Sequence, residues 1–258
     1  MELQGLHGQV VDRIGESLAA GDAAAGEVLR LEDVQARYGV SRTVAREAVR
    51  VLESKHVVTS RPRVGITVLP MKAWNLYDPH VIRWRLASPH RESQLRELAE
   101  LRTAVEPYAA FLAAASAPPG ARRELTQHAE SMTAAAGDGR IRAFIAADAA
   151  FHRVLLVASG NGMFGQLADV TEELLVSRGD LELMPAHVDM NAVALHVQVA
   201  SAVAAGLPAE AAGHLRQIVT SAHREVKQLL ADETSAPGEA DSPGSAPYAP
   251  RVPCALWG

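Results

Sequence analysis

The sequence predicts a mainly α protein: an N-terminal winged helix-turn-helix followed by a C-terminal all-α helical bundle. Three observations carry this. Residues 39–65 place Arg42, Arg46 and Arg50 at steps of four, with Val44, Ala45, Ala48, Val49 and Leu52 on the other side. From Glu92 to Leu230 apolar residues recur with a helical period, interrupted at proline and glycine clusters. Aromatics make up only 4% of the 258 residues and alanine is abundant, which suits helices packed closely through small side chains.

In chain order, a first helix is expected over Leu6–Ala20, with Val10, Val11, Ile14 and Leu18 as its apolar stripe. Residues 21–30 read as a loop. A short helix, Leu31–Arg37, turns at Gly39 into a second helix that Ser41 can cap by accepting a free backbone N–H. Steps of four put the three guanidinium groups on one helix face. Val57-Val58, the basic turn Arg61–Gly65 and Ile66-Thr67-Val68 then read as strand, turn and strand, a "wing" that ends near Pro70.

Residues 41–65 carry six Lys/Arg against two Glu, in a chain whose net charge is −5. Such local positive charge fits a polyanionic backbone. For one helix alone, the simpler reading is a solvated face in which Arg46 pairs with Glu47 or Arg50 with Glu53. Cap, turn, helix and Arg-x-Arg wing together favour double-stranded DNA. Arg42 and Thr43 lie at the helix start, where side chains reach base edges. Arg46, one turn on, suits a bidentate contact to guanine. Ser41, Arg50, Arg61 and Arg63 suit phosphates or the minor groove, and Gly65 lets the wing turn sharply.

Trp74–Trp84 is too aromatic for a flexible linker and reads as a folded connector. Beyond it, helices are expected over 92–115, 121–136, 140–158, 162–184, 188–205 and 208–231, with Pro107 kinking or dividing the first. Short turns between them imply a bundle. The expected organisation is therefore residues 1–70 for the DNA-binding unit, 71–90 for the connector, 91–231 for a ligand-binding and dimerisation domain, and 232–258 for a proline-rich disordered tail.

Within the bundle, Asp148 and His152 stand one turn apart on a helix made apolar by Phe151, Leu155, Leu156 and Val157. The pair is expected to face the interior, where a buried carboxylate and imidazole need partners. A cation or an acid ligand would supply them, with His196 and His214 on two further helices. Arg102 and Glu106 form a second i,i+4 pair. They are either a surface salt bridge of little value or an inward arginine that holds a ligand carboxylate.

Gly39-Val40-Ser41-Arg42, Arg46-Glu47-Ala48, Leu52-Glu53 and the Arg61–Gly65 wing resemble the winged helix of the GntR family of bacterial transcription regulators. Glu32 stands where many members carry an arginine. Leu101-Arg102 to Glu106-Pro107, Asp148 to Arg153, and Ala158 to Asn161 resemble the FCD ligand-binding domain of the family's FadR-type branch. That resemblance implies a bundle that binds a small carboxylate, often through one divalent metal (Zn, Ni or Mn) held by Asp and three His. Here these would be Asp148, His152 and His196. Counted without gaps from His196, the third family histidine falls on Ile218, and His214 lies one turn earlier. The connector is similar to that of members responding to sugar acids such as galactonate, some of which also lack the third histidine.

The expected molecule is a homodimeric, cytoplasmic regulator, a repressor of a palindromic operator, controlled by a small carboxylate effector. No segment is apolar enough to span a membrane, and the single cysteine, Cys254, precludes disulfides within the chain. The competing reading is a metal-dependent hydrolase or lyase using Asp148, His152 and His196. The sequence carries no His-Glu-x-x-His, nucleophile elbow or phosphate loop to support it. A third reading is a purely structural bundle with a DNA anchor.

Overall fold

The computed structural model describes residues 6–180 and 188–235. Helix α1 (Leu6–Ala20) buries Val10, Val11, Ile14 and Leu18, the expected stripe, against α3 (Arg42–Ser54), and α2 (Leu31–Tyr38) joins the same core through Val34. Gly39 adopts a left-handed φ of 65° and so turns the chain between α2 and α3. Ser41 Oγ accepts the Val44 N–H and caps α3, whose Ala45, Ala48, Val49 and Leu52 are buried. Strands β2 (Val58–Arg61) and β3 (Gly65–Val68) pair antiparallel, with Arg61 opposite Gly65. The stretch 21–30, expected to be all loop, contains β1 (Val28–Leu29), which adds to β3 as the third strand. Two residues carry no alternating pattern, and their pairing is fixed by a strand far along the chain.

The connector is folded, as expected. A 3-10 turn at Met71–Ala73 leads to α4 (Pro79–Leu86), which starts with Pro at its first position and is capped by the Asp78 carboxylate. This helix belongs to two cores. Val81 and Trp84 join the head, while Ile82 and Leu86 pack with Leu95, Leu98, Val170, Leu174 and Val226 of the body. Trp84 covers Gly15 of α1 so closely that a Cβ there would come within 2.3 Å of the indole. The Trp84 Nε1–H donates to Asp12 at 2.9 Å, and the half-buried Lys55–Asp78 pair closes at 2.7 Å.

The body comprises α5 (Arg91–Ser116), α6 (Pro119–Gly137), α7 (Ile141–Ala158), α8 (Gly162–Gln166), α9 (Ala168–Asp180), α10 (Met190–Ala205) and α11 (Pro208–Ser235). Alanines dominate the core between α5, α6, α7, α10 and α11, where small side chains bring helix backbones close. Of the two outcomes expected at Pro107, the division does not occur: helix α5 continues through it. Two further expectations are corrected. The helix expected over 162–184 is interrupted at Leu167, because Gly162 and Gly165 weaken its first turns and Asn161 caps only a short α8. Residues 181–184 of that expectation lie outside the described residues. Helix α11 runs to Ser235, four residues into the expected tail, and 236–258 lie outside the described residues. Among the described residues no helix is long and apolar enough to cross a membrane.

Candidate nucleic-acid face and effector cavity

Arg42, Arg46, Arg50, Arg61, Arg63 and Gly65 line one groove of about 630 Å³ between α3 and the wing. Arg30, which the sequence reading did not single out, lines it too. The arginines are exposed, as are Ser41 and Thr43 at the start of α3. Arg50 pairs with Glu47 at 2.7 Å rather than with Glu53, and Arg42 stands 3.9 Å from Glu32. Exposed pairs of this kind contribute about 0–1 kcal/mol, so a phosphate can replace either acid. Glu53 is occupied elsewhere, accepting the Ser60 N–H at the base of the wing. At the wing tip Arg63 holds a left-handed φ of 64°, and Gly65 sits at φ 115°. A Cβ at Gly65 would lie 2.8 Å from Val28 Cγ1 and 3.0 Å from Leu29 O. The glycine is therefore required both by its conformation and by the approach of β1.

The second site lies inside the body. Helix α5 supplies Arg102 and Glu106, α7 supplies Asp148 and His152, and α10 supplies His196. All except the half-buried Asp148 are buried. Phe151, Leu155 and Leu156 turn the Asp148–His152 face inward, while Val157 points outward. Arg102 and Glu106 form a fork-to-fork pair, Nε to Oε1 at 2.7 Å and Nη2 to Oε2 at 3.2 Å. The pair is inward, yet the arginine's fork is filled by Glu106. Thr171 of α9 donates its hydroxyl to the same Glu106 Oε1 at 3.2 Å.

Two acceptors fix the histidine tautomers. His196 Nδ1 lies 2.7 Å from Ala192 O and must donate to it. His152 Nδ1 lies 2.9 Å from Glu106 Oε2. With Nδ1–H on both rings, each Nε2 carries a lone pair. These Nε2 atoms lie 3.5 Å apart, and 3.4 Å (His152) and 3.1 Å (His196) from Asp148 Oδ1. Asp148 Oδ1 is itself buried without a directed donor among the described residues. Three electron-rich atoms thus face one point; Arg102 Nη2 stands 3.2 Å from His152 Nε2 as a cationic donor beside them, and a shared proton or a metal ion would answer the rest.

The electrostatics agree. Burial pushes the Glu106 carboxyl up, but the Arg102 and His152 charges outweigh it and bring it down to about 2. Burial also opposes ionisation of Asp148, yet the His152 and His196 rings hold it well below the usual carboxylate range. His152 is pushed down by burial and by the Arg102 charge, and the Glu106 and Asp148 carboxylates together raise it, for a net upward shift. The donor set Asp148, His152 and His196, all within 4.8 Å, fits a divalent cation of the zinc type.

The other two histidine positions separate. Ile218 is buried and lines the cavity of about 60 Å³ beside Asp148, His152 and His196. His214, one turn earlier on α11, is not part of the converging group or of the cavity wall. Its expectation as a ligand is corrected: an axial step of about 6 Å is not recovered by the imidazole. Arg178 of α9 also lines this cavity and was not named from the sequence.

Residues 6–68 match the bacterial regulatory proteins of the gntR family, and residues 97–221 match the FCD domain. The chain is 27% identical over 161 residues to the galactonate operon transcriptional repressor of Escherichia coli K12, a match that covers 62% of this chain and 69% of the relative. It is also 27% identical over 162 residues to the E. coli HTH-type transcriptional regulator YieP, with 62% and 70% covered. In fold it is similar to Lar of Listeria monocytogenes (TM-score 0.54, 16% identity, 89% and 100% covered) and to E. coli McbR/YncC (TM-score 0.50, 20% identity, 88% and 100% covered). With a winged helix at one end and an FCD bundle at the other, the chain belongs to the GntR family of DNA-binding transcription regulators.

Proposed function

We propose that this regulator is a homodimeric repressor of a palindromic operator, released or retained by a small carboxylate, of which sugar acids are the leading class. The observation that carries the reading is the buried meeting of His152 Nε2, His196 Nε2 and Asp148 Oδ1, whose unshared electron pairs call for a bound cation and, through it, an acid. Asp148, His152 and His196 would hold one Zn, Ni or Mn ion. The ion would act as a Lewis acid toward an effector carboxylate or hydroxyl. The galactonate repressor among the relatives supports the sugar-acid class.

Helix α9 links the cavity to the head. Thr171 and Arg178 face the site, while Glu173 takes both nitrogens of the Arg83 fork on α4 at 2.9 Å each. Helix α4 in turn clasps α1 through Asp12. Self-association is supported by an exposed apolar ridge, in which Tyr108 stacks on Phe111 and meets Phe164 edge-on beside exposed Val157 and Met163.

The test is a melting-temperature screen of the purified chain against sugar acids and hydroxy acids, with and without divalent metal, followed by operator gel shifts. A ligand at 100 times its Kd is expected to add about 2.7 kcal/mol of stability. The same ligand must change operator affinity. Turnover of any bound acid would favour an enzyme instead.

A further inference from the structure

Two arginines border the effector cavity, and they are not equivalent. Arg102 is matched by Glu106 on its own helix. Arg178 is equally buried, at 5% exposure, yet its Nε has no hydrogen-bond partner among the described residues. Its nearest carboxylate, Glu225 on α11, stands 3.8 Å from Nη2, beyond hydrogen-bond length. A guanidinium held in the interior with an unmet N–H is costly, because burial removes the water that would otherwise satisfy it. Burial and the nearby Arg102 charge both disfavour its protonated form, and Asp148 and Glu225 only partly offset them. An anion entering this corner would meet that N–H.

The cavity specifies where that anion would sit. Arg178 lines the same space of about 60 Å³ as Asp148, His152 and His196. At about 10–15 Å³ per water on this measure of cavity volume, the space holds a few waters, enough for a carboxylate and the carbon next to it. The cavity rim is set by Asp189, Ser221 and Glu225, which can exchange hydrogen bonds with hydroxyls.

We infer that Arg178 is the carboxylate receptor of the effector cavity, and that the effector is a 2-hydroxy acid. The carboxylate takes two parallel N–H bonds from Arg178, a fork geometry that lysine does not reproduce. The 2-hydroxyl faces the Asp148–His152–His196 group, and any further polyol chain leaves past Ser221 and Glu225. Arg102 then serves to hold Glu106, and through it His152, and does not itself grip the ligand. This rests on the reading of the bundle as an effector domain and adds which residue selects the acid.

The test uses the full-length chain with glycolate, the smallest 2-hydroxy acid, and with D-galactonate; ethylene glycol and galactitol are the matched probes without a carboxylate. Affinities are read by thermal shift and calorimetry. Both acids are expected to bind the wild-type chain and neither alcohol to do so. Arg178→Gln should lower acid affinity about a hundredfold, and Arg178→Lys, which keeps the charge but not the fork, about tenfold. Should Arg178→Gln fold poorly, Arg178→Lys alone carries the comparison. Equal acid affinity in the wild-type chain and either variant overturns this inference and leaves the effector reading intact. No binding of either acid to the wild-type chain overturns both.

Discussion

Glu106 Oε2 lies 2.9 Å from His152 Nδ1, and both side chains are 1% exposed. The same carboxylate also answers Arg102 and Thr171. Glu106 therefore sets the His152 tautomer from behind the cavity, where it meets no ligand. Glu106→Gln removes the charge and can present an N–H to Nδ1, which moves the ring proton to Nε2 and takes away the lone pair that faces Asp148. Zinc affinity is expected to fall about 10–100-fold, as for other losses of an orienting partner. Stability should fall by about 3–5 kcal/mol, because Arg102 becomes a buried charge without its counterion. Calorimetry with zinc and urea unfolding check the two effects separately. An unchanged zinc affinity would detach Glu106 from the metal site.

Ile218 occupies the cavity wall where a third imidazole would complete the Asp–His–His set. Ile218→His exchanges a buried apolar side chain for a ligand of similar reach. Zinc affinity is expected to rise at least about tenfold, measured by competition with a chelator. The apo protein should lose stability, since an unmetallated imidazole is then buried without a partner. If zinc binds no tighter, the ion is not held between α7 and α10.

These positions show what a linear sequence reveals. Asp148 and His152 announced their inward face because Phe151, Leu155 and Leu156 flank them on one apolar helix. The α3 arginines were legible for the same reason, set against a clean apolar side. Arg178 was not. Its helix, α9, mixes Glu172, Glu173, Ser177 and Arg178 with leucines and shows no distinct apolar stripe. Its burial is imposed by α5 and α11, remote in sequence. The β1 strand escaped likewise, because Val28-Leu29 owes its pairing to β3 alone.

Arg46 and Arg61 line the same groove, but they should act differently. Arg46, one turn into α3, is proposed to reach a base edge, and Arg46→Ala is expected to cost about 1–3 kcal/mol at the preferred site and to blur its sequence preference. Arg61, at the wing, is proposed to contact the backbone. Arg61→Ala should weaken all DNA about equally and lower the slope of log affinity against log salt by about 1. Genomic fragments selected by the wild-type chain supply the operator for these titrations. Matching profiles for the two variants would contradict the division of labour.

Glu173 offers a way to separate sensing from response. Its carboxylate holds the Arg83 fork on α4 and accepts the Ser177 hydroxyl, yet it does not line the cavity. In Glu173→Gln the effector should bind within about threefold of wild type, while the effector-driven change in operator affinity shrinks. Coupling of this kind typically amounts to about 1–3 kcal/mol, or 5–150-fold. Gel shifts with and without saturating acid measure it. A full response in the variant would place the route from α9 to the head elsewhere.

Asp12 ties the head to the connector, accepting from Trp84 Nε1 at 2.9 Å and facing His80 Nδ1 at 3.2 Å. Burial raises its pKa, but the bonds from His80 and Trp84, with the His80 and Arg83 charges, outweigh burial and leave it lowered from 3.8. A carboxylate with a lowered folded pKa is ionised more readily in the native state than in the unfolded chain. Its contribution is therefore complete above about pH 4–5 and is lost as pH falls through the folded value. Asp12→Asn should make the docking of α1 on α4 less stable at neutral pH. It should also flatten the acid limb of the stability curve, because the residue that titrates there is gone. Urea midpoints of wild type and variant between pH 3 and 7 test this: the two curves should converge toward pH 3. Parallel curves would show that Asp12 does not titrate with folding.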